Sequence, residues 1–462
     1  GLRLATGAWI ALLSDGDLLA EHALYCAANA INADSAIRLI YSDEDKIDAD
    51  NKRHDHYFKP DWNVDLFHSH DLFTRLGLWY KPLVDAVGGF RDGMAGAESY
   101  DLTLRCIEQV QADAIYHVRR VLYHARTDPD VATLGADAVY ASRQAGMRAL
   151  EEHFSREKID CLVTWSGYGY RTHYRLPAVP PLVSLIIPTR NGLEFLRMCI
   201  TSIFDKTTYA NFEIVIVDNG SDDAETLAYL SSLVADHRVR VLRDDGPFNY
   251  SALNNKAVNA AQGEIVGLIN NDIEVISPDW LAEMVSLAIQ PQVGAVGARL
   301  LYPNDTLQHG GVVLGIGGMA GHAHKFQPAS DDGYGRRSRL IGAYSAVTAA
   351  CLLVRRATYL ELGGLDETNL AVAYNDVDFC LRLREAGYRN VWTPYAEMYH
   401  HESATRGYED DPIKRARAEA ERAYMRRRWG DALADDPAYS PNLTVDAEDF
   451  DLAWPPRVAA LA

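Results

Sequence analysis

The sequence predicts an α/β fold with a mainly parallel central sheet. Two continuous apolar runs, VSLIIPT (183–189) and FEIVIVD (212–218), are rich in β-branched residues and are typical of strands covered on both faces. The amphipathic stretch LEFLRMCITSIF (193–204) between them predicts a helix. Because strands and helices alternate, we expect parallel strands whose ligands bind beyond their carboxyl ends.

Further along the chain the same alternation continues. NNKAVNAAQ predicts a helix, EIVGLIN (264–270) a third strand and DFCLRLREAGY another helix, which NDVD (375–378) opens. The run IGAYSAVTAACLLV (341–354) is the longest apolar candidate, shorter than the roughly 18 to 20 residues needed to span a bilayer. We interpret it as one buried strand.

An internal repeat divides the chain. Three blocks recur in the same order, which chance does not readily produce. ATGAWIALLSDGDLL (5–19) aligns with 261–275, GGFRDGMAGAESYDLTLRC (88–106) with 363–383, and VLYHAR (121–126) with 397–402. The second copy has roughly 80 more residues ahead of its first block, so the first copy reads as truncated at its front.

Four segments follow from this repeat. With 462 residues, the chain exceeds what one compact core usually accommodates. It begins at Gly1 with a string typical of the middle of a domain, so we expect part of a longer protein. The predicted segments are a truncated, inactive copy at 1–133, a helical linker at 134–180, the main domain at 181–410 and a helical tail at 411–462.

Charge and cysteine usage narrow the functional class. A formal net charge of -19 argues against broad nucleic-acid binding, because phosphate backbones are met by basic faces. The six cysteines include no CxxC pair, so neither a disulfide framework nor a cysteine zinc site is indicated. This composition suits a reducing cytoplasm.

Polar residues follow each of the three predicted strands. PTRN (188–191), VDNGSDD (217–223) and INNDIE (269–274) stand where a shared pocket is expected. Asp218 can accept hydrogen bonds from a base or ribose, and Asp272 lies in an oxygen-rich cluster suited to Mg²⁺ or Mn²⁺. The alternatives are a helix cap at Asp222 or Asp223 and a plain Asn-Asp turn at Asp272.

Asp376 and Asp378 open a predicted helix. Two positions apart, they point in different directions, so one can cap the helix while the other faces the pocket. From the residues alone, capping is the better interpretation of either.

Taken together, these strings resemble a known family. VSLIIPTRN, IVDNGSDD, FNYSALNN, GEIVGLINNDIEV, GGLDE, AYNDVDFCLRLREAGYRNVWTP and HHESATRG, in this order, look like the family-2 glycosyltransferases that build bacterial surface polysaccharides, including rhamnosyltransferase-like O-antigen enzymes. The resemblance covers nearly all of 182–410. It implies a GT-A fold, in tandem domains, and an inverting single displacement.

The resemblance also implies roles for individual residues. Asp376 maps to the general base, and Asp272 to the metal-binding end of a DxD-like motif in which Asn270 replaces the first Asp. His400 maps to the histidine that closes the metal site, with His401 as the near alternative. The nucleotide-sugar would be held by Pro188, Thr189, Asn191, Asp218, Asn219, Asn254, Asn271 and Arg406, although a surface salt bridge is as good an interpretation of Arg406.

The first copy departs from that pattern. In the sequence alignment Gly16 stands at the place of Asp272 and Ser99 at that of Asp376, and the nucleotide-binding strands have no counterpart. We therefore expect a non-catalytic remnant that binds acceptor or acts as a scaffold.

Two other motifs are given less weight. GIGGMA (315–320) imitates a dinucleotide fingerprint, but no convincing helix follows it. His309, His322 and His324 lack a fourth ligand for zinc, so we interpret their segment as a flexible loop near the acceptor site.

These observations predict a metal-dependent transferase that moves a sugar from a nucleotide-sugar donor to a glycan or lipid-linked glycan acceptor. The metal would be Mg²⁺ or Mn²⁺, and the setting the cytoplasm or, by peripheral association, the inner face of the membrane. A catalytically silent glycan- or nucleotide-binding module is the alternative. A nucleotidyltransferase is less favoured because no loop rich in glycine and lysine follows the first strand.

Overall fold

The computed structural model describes residues 1–127, 136–402 and 412–460. The chain divides into two compact units. The first consists of Gly1–Tyr174, Pro437–Thr444 and Leu452–Ala462, and the second of Arg175–Asp436 and Val445–Asp451. The helical stretch expected to link two domains therefore packs within the first unit.

The first unit is a mixed α/β structure. Its helices are α1 (Ala23–Ala33), α2 (Val64–Ser69), α3 (Lys81–Ala86), α4 (Glu98–Ile107) and α5 (Ala136–Arg156). Its strands are β1 (Trp9–Ala11), β2 (Leu18–Leu19), β3 (Leu39–Ile47), β4 (Arg53–Tyr57), β5 (Gly77–Tyr80), β6 (Ile115–Arg126), β7 (Cys161–Trp165) and β8 (Tyr170–Tyr174).

A central sheet organises this unit. Its strand order is β1-β5-β3-β6-β2, with β4 paired to β3, while β7 and β8 form a separate hairpin. One face of α1 packs on the sheet through Ala23, Cys26 and Ala27, in a cluster with Ile40 and Leu122. This burial of the apolar face is what holds α1 in place.

The second unit is larger and carries twelve strands and seven helices among its described residues. Its helices are α6 (Leu193–Lys206), α7 (Ala224–Leu233), α8 (Tyr250–Ala260), α9 (Trp280–Ala288), α10 (Arg356–Glu361), α11 (Asn375–Glu385) and α12 (Pro412–Ala434). Its strands are β9 (Val183–Thr189), β10 (Phe212–Asp218), β11 (Val239–Arg243), β12 (Ile265–Ile269), β13 (Ile273–Val275), β14 (Val293–Leu301), β15 (Leu307–His309), β16 (Val312–Leu314), β17 (Ala320–His322), β18 (Gly342–Tyr344), β19 (Cys351–Arg355) and β20 (Arg389–His400).

A ten-stranded sheet forms the centre of the second unit, in the order β11-β10-β9-β12-β19-β14-β20-β13 with β15 and β18 alongside. Strands β11, β10, β9 and β12 are mutually parallel, as the strand-helix-strand alternation predicted. Every residue of β9, β10 and β12 is buried, because helices cover both faces. Antiparallel pairings of β19 extend the sheet on the other side.

The run at 341–354 is not one strand, contrary to the sequence interpretation. It forms β18 and β19, separated by residues 345–350, and the two strands pair with different neighbours. An apolar run alone does not distinguish a long strand from two short ones joined by a buried turn. The turn matters because it contributes backbone groups to the candidate site.

The two units share one strand arrangement. In the second unit β12-β19-β14-β20-β13 repeats the order β1-β5-β3-β6-β2 of the first. Every neighbouring pair also has the same direction: only the central pairs, β3 with β6 and β14 with β20, are parallel. Two of the three block pairs that the sequence alignment identified overlap these strands, and the third overlaps α4 and α11.

A buried arginine network also recurs. In α4, Arg105 donates to the Asp101 carboxylate at 2.7 Å and to the carbonyl oxygens of Val87 and Gly89. In α11, Arg382 donates to the Asp378 carboxylate at 2.8 Å and to the carbonyl oxygens of Leu362 and Gly364. Both arginines thereby tie a helix to the turn that precedes it.

Strand pairing shifts the sequence alignment by one residue. Leu18 pairs with His124 in the first unit, and Ile273 pairs with His400 in the second. If the two histidines correspond, Asp17 rather than Gly16 stands at the place of Asp272. An alignment of short blocks cannot detect a one-residue difference in a turn, whereas strand register does.

The C-terminal part of the chain begins with a helix, as predicted. In α12 the buried residues Ala418, Met425 and Trp429 recur along one side. Residues 437–460 carry no helix, which limits the predicted helical tail to α12. Across the described ranges, we find no helix with the length and apolarity needed to cross a membrane.

Candidate active site

Three polar residues stand side by side at the carboxyl edge of the parallel strands. Thr189 ends β9, Asp218 ends β10 and Arg243 ends β11, and Asp218 is in register with both of the others. Asn271, beyond the end of β12, donates from Nδ2 to Thr189 Oγ1 at 3.0 Å. The strand ends that the sequence singled out therefore lie together at one edge.

Asn191 joins two of the loops at this edge. Its backbone N–H donates to Ser221 Oγ at 2.8 Å, and its side-chain Oδ1 accepts from the backbone N–H groups of Asp222 and Asp223 at 3.1 Å. Asp223 in turn caps α7 through Thr226, as the capping alternative proposed. The Asn191 side chain thus positions the loops rather than standing free.

Asp218 is a buried carboxylate with two donors. Its Oδ1 accepts from the Ser221 N–H at 2.9 Å, and its Oδ2 accepts from Arg243 Nη1. Arg243 was missed in the sequence, although it is a polar residue at the end of a further strand, VRVLR. The ion pair leaves Asp218 fixed in place at the strand end.

Asn219 is only partly satisfied. Its Nδ2 donates to the carbonyl oxygens of Asp244 and Gly246, at 3.1 and 2.9 Å. Its Oδ1 is buried and receives no hydrogen bond from any described residue. A buried acceptor of this kind is costly unless a ligand or water supplies a donor.

Asp272 and His400 face one another. Asp272 follows β12, and the pairing of β13 with β20 brings His400 Nε2 to 3.3 Å from Asp272 Oδ1. Within the part of the chain that the structure describes, neither Asp272 Oδ1 nor His400 Nδ1 has a hydrogen-bond partner, though both are buried. The neighbouring His401 lies instead 3.3 Å from Glu274, which disfavours it as the alternative.

This pair fits a divalent cation in its donor chemistry. A carboxylate oxygen without a donor and an imidazole nitrogen are acceptable ligands for Mn²⁺, whereas Mg²⁺ favours oxygen alone. Asn270 adds an amide, since its Nδ2 lies 3.3 Å from His400 Nε2. In the described part of the chain no three His, Cys, Asp or Glu side chains converge on one point, so a metal held here would need ligands from a bound substrate.

Asp376, at the start of α11, accepts two backbone hydrogen bonds. Ala349 N–H donates to its Oδ2 at 3.0 Å and Val377 N–H to its Oδ1 at 2.8 Å. Burial raises the pKa of Asp376, although these two N–H groups and the Thr348 side chain act in the opposite direction. A carboxylate with a raised pKa is a better proton acceptor near neutral pH.

Asp378 has a different environment. It is fully buried, and both of its oxygens accept hydrogen bonds, from Arg382 and from the Trp429 indole N–H at 2.9 Å. Its ion pair with Arg382 thus holds α11 to its surroundings. Of the two carboxylates in NDVD, only Asp376 is partly exposed and so accessible to a substrate.

Tyr250 connects the two carboxylate sites. Its hydroxyl lies 3.1 Å from Asn270 Oδ1 and 3.0 Å from the Ala349 carbonyl oxygen. Burial raises its pKa, and the charges of Asp376 and Asp272 raise it further. Tyr250 was not among the residues predicted from the sequence. The string FNYSALNN, in which it lies, was the available indication of its role.

Helix α8 carries both Tyr250 and Asn254. Its N-terminus is capped by Asn249, whose side chain accepts from the Ala252 N–H. Asn254 Nδ2 donates to the Tyr250 carbonyl oxygen at 2.8 Å, while its buried Oδ1 has no donor. Asn254 therefore resembles Asn219 in offering an unsatisfied acceptor.

Two of the three histidines of the 309–324 segment lie in strands rather than in a loop, and His324 lies in a turn. His309 lies in β15 and His322 in β17, and their Nδ1 atoms are 2.8 Å apart. Burial lowers the pKa of both, that of His322 to about 4, so one neutral imidazole donates to the other. His324 is buried and stacks on Phe450, which corrects the prediction of a flexible loop.

Two predicted residues remain. Pro188 lies inside β9 opposite Val217, one position before Thr189. Arg406 lies outside the described residues.

Residues 184–341 match the family described as Glycosyl transferase family 2. The match covers about a third of the chain and lies within the second unit. Its parallel strands, with polar groups gathered at their carboxyl edge, have the GT-A architecture that the sequence resemblance implied.

Curated relatives extend the comparison. The chain is 50% identical over 458 residues to the uncharacterized protein y4gI of Sinorhizobium fredii, covering 98% of this chain and 50% of that protein. It is 37% identical over 462 residues to the O-antigen biosynthesis protein RfbC of Myxococcus xanthus, covering 99% of this chain and 35% of that one. An N-acetylglucosaminyl-diphospho-decaprenol L-rhamnosyltransferase of Mycobacterium tuberculosis is 27% identical over 232 residues, covering 46% of this chain and 73% of that enzyme. The chain thus spans half or less of the first two relatives.

Proposed function

We propose that the second unit is an inverting glycosyltransferase that moves a sugar, such as rhamnose, from a nucleotide-sugar to a hydroxyl of a bacterial surface glycan. One observation carries the proposal. Asp376, a carboxylate with a raised pKa, and the donor-free Asp272 oxygen beside His400 are connected through Tyr250 at the carboxyl edge of a parallel sheet. The O-antigen and rhamnosyltransferase relatives support the substrate class.

The chemistry follows from Asp376. Its carboxylate accepts the proton of the acceptor hydroxyl while that oxygen forms a bond to the anomeric carbon. The bond from the anomeric carbon to the nucleoside diphosphate breaks at the same time, and the diphosphate leaves with the electron pair. Attack from the side opposite the leaving group inverts the anomeric centre.

Donor binding is assigned to the strand ends. Asp218, with Pro188 and Thr189 beside it, is placed to meet the nucleoside. The unsatisfied acceptors of Asn219 and Asn254 offer further contacts, and Asn191 with Asn271 holds the loops in position. Arg406 is retained as a diphosphate ligand on the sequence resemblance alone.

Asp272 and His400 would hold a Mn²⁺ or Mg²⁺ ion. Such an ion, when bound, neutralises charge on the departing diphosphate. Asn270 in place of a second carboxylate lowers the negative charge of the site, so we expect weaker binding of free metal than a two-carboxylate site gives.

We further propose that the first unit is a diverged copy of the acceptor half of this domain. The shared strand order and the recurring arginine network support the duplication. Ser99 corresponds to Asp376 and hydrogen-bonds Asp71 at 3.3 Å, so no carboxylate stands at the base position itself. A role in holding glycan or in scaffolding is consistent with that difference.

The test is release of nucleoside diphosphate from a panel of UDP-, dTDP- and GDP-sugars, with Mn²⁺ or Mg²⁺. We expect one donor class to be turned over, and both Asp376→Asn and Asp272→Ala to lose activity by about a hundredfold or more. Asp279→Asn is the matched control, because Asp279 is an exposed carboxylate of the same unit whose side chain caps nothing.

Equal release by all four proteins would overturn the assignment of the two carboxylates. Binding of nucleotide without turnover, with or without glycan acceptors, would favour the silent binding module instead. Release of pyrophosphate would indicate a nucleotidyltransferase.

A further inference from the structure

A groove opens in the second unit next to Tyr374. It has a volume of about 800 Å³ and is lined by residues of four separate segments, including Gly317, Phe326, Tyr374, Arg422 and Glu448. This volume lies within the range of small-molecule and oligosaccharide sites, roughly 300 to 1,000 Å³. Among the described residues, none of those assigned to donor or metal lines it.

Phe326 presents an aromatic ring to this groove. The side chain is 61% exposed, yet it is held in place: its ring stacks on Tyr302 with centroids 5.4 Å apart and planes 9° from parallel. Its backbone adopts φ 65°, a conformation that costs a non-glycine residue about 1 kcal/mol or more. An exposed ring fixed at such a cost indicates a binding surface rather than a packing role.

The rest of the groove is polar and electrically balanced. Lys325, whose Nζ lies 5.0 Å from the centroid of the Phe326 ring, is 3.9 Å from Glu448, and Arg422 and Arg426 lie 3.6 and 3.9 Å from Glu419. Because each of these cations is already near a carboxylate, the groove is poorly suited to a diphosphate. It offers instead many hydrogen-bond donors and acceptors around an apolar ring, which is what the hydroxyl groups and C–H faces of sugars require.

Glu448 is positioned by the strand that carries His322. The backbone N–H of His322 donates to Glu448 Oε1 at 3.1 Å. At the lip of the groove Gly317 has φ 60°, and an added Cβ there would meet no atom within 4 Å. The backbone at this point is therefore open to close approach by a ligand.

The groove adjoins the segment that carries the proposed base. Tyr374 lines it, is hydrogen-bonded by Arg422, and stands two residues before Asp376 with φ 59°. His309, paired with His322, lies 3.4 Å from the N–H of Thr348, and the next N–H, that of Ala349, binds Asp376. The same local framework thus shapes the groove and holds the carboxylate.

We propose that this groove binds the acceptor glycan, with the C–H face of one sugar ring packed on Phe326 and its hydroxyls bonded to Glu448 and Arg422. The assignment rests on the proposed function, since it names the substrate that receives the sugar. In this proposal, the acceptor's sugar rings that follow the one with the reacting hydroxyl lie along the 316–326 segment and α12.

Binding is measured without donor or metal, on an array of bacterial oligosaccharides that includes rhamnose-containing O-antigen fragments. The full 462-residue chain is expected to bind a subset of these glycans. Phe326→Ala should weaken that binding about tenfold, and Phe326→Trp should restore it. Tyr140→Ala is the matched control, because Tyr140 is an aromatic residue of similar exposure, 63%, on α5 of the first unit.

Three outcomes would overturn the inference: no glycan bound by the wild type, equal binding by Phe326→Ala, or an equal loss in Tyr140→Ala. A wild type that binds glycans through Phe326 but turns over no donor would leave the groove assignment standing and reject the transferase instead.

Discussion

Asp376 experiences two opposing influences. Burial disfavours its charged form, whereas the N–H groups of Ala349 and Val377 favour it, and the balance raises the pKa. Tyr250 adds a hydroxyl that bonds to the Ala349 carbonyl oxygen from the other side. The base is thus surrounded by groups that fix its geometry while leaving it able to accept a proton.

A pH profile tests this description of the base. Only the ionised carboxylate accepts a proton, so activity rises with pH through the pKa of Asp376 and is lost below it. Because that pKa is raised, the acidic limb of kcat/KM should lie above the range of an ordinary aspartate.

The measurement is kcat/KM from about pH 4 to pH 8. Loss of nucleotide-sugar itself at low pH is excluded with an enzyme-free control. An acidic limb at the ordinary aspartate value would contradict the assignment, as would an unchanged limb in residual activity of Asp376→Asn.

Residue by residue, the sequence was informative where an unusual side chain follows a strand. Asp218 and Asp272 are such cases, and the structure places each in a buried polar setting at the predicted edge. Tyr250 and Ala349 were not predictable in this way. One is an ordinary aromatic on a helix, and the other contributes only its backbone, which carries no side-chain pattern.

At the scale of elements, α4 and α11 are held by the same device. In each, an arginine four residues after an aspartate bonds that carboxylate and two carbonyl oxygens of the preceding turn. The aspartates at 101 and 378 are almost completely buried, so neither charge is stabilised by water. Each aspartate and its arginine therefore depend strongly on one another, because either charge alone would lack compensation.

Removing one partner of the ion pair should lower the stability of either unit. Asp378→Ala and Asp101→Ala each leave a buried guanidinium without its carboxylate, so we expect each to lower the free energy of unfolding by about 3 to 5 kcal/mol. Urea unfolding followed by circular dichroism and tryptophan fluorescence measures the loss.

The paired replacement Asp378→Leu with Arg382→Met is the control, because it removes both charges and should cost less than Asp378→Ala alone. A larger loss in the double variant, or losses below about 1 kcal/mol in the single ones, would show that the networks do not stabilise the helices as described.

Most elements of the second unit follow from hydrophobic pattern. Strands β9, β10 and β12 are buried on both faces, so their sequences contain uninterrupted apolar residues. The pattern failed at 341–354, where small residues allow a buried turn between β18 and β19. It also failed for the histidine segment, whose short strands β15 to β17 are too brief to show a period.

At the scale of the whole molecule, the two units have a common strand order, which the three repeated sequence blocks did not specify. Nor did the blocks specify which distant segments complete each unit. Residues 437–444 and 452–460 pack with the first unit although they follow the second, and this depends on tertiary contacts that no local pattern encodes.

Stabilisation by a bound ligand should distinguish the two units, because the proposed donor site lies in the second. The product nucleoside diphosphate together with Mn²⁺ should raise the unfolding temperature. At a ligand concentration a hundred times the Kd, the free energy of unfolding should increase by about 2.7 kcal/mol. Differential scanning calorimetry should show the shift in a transition that the second unit contributes.

Chelation with EDTA should abolish that shift, and Asp272→Ala should show it neither with nor without metal. The Asp279→Asn control should behave as the wild type. An equal shift without metal would show that nucleotide binding does not depend on a metal held by Asp272 and His400.

The route of the chain between the units bears on how the protein is made. It passes from one unit to the other at 174/175, 436/437, 444/445 and 451/452. In the first unit Asp61 N–H donates to the Pro437 carbonyl oxygen at 2.8 Å, and Asn442 Nδ2 to that of Arg119 at 3.1 Å. Domains usually fold in the order of their synthesis, the N-terminal one first. Here the ribosome synthesises the main segment of the second unit before the C-terminal segments of the first. The first unit therefore cannot form all of its native contacts until nearly the whole chain has been made.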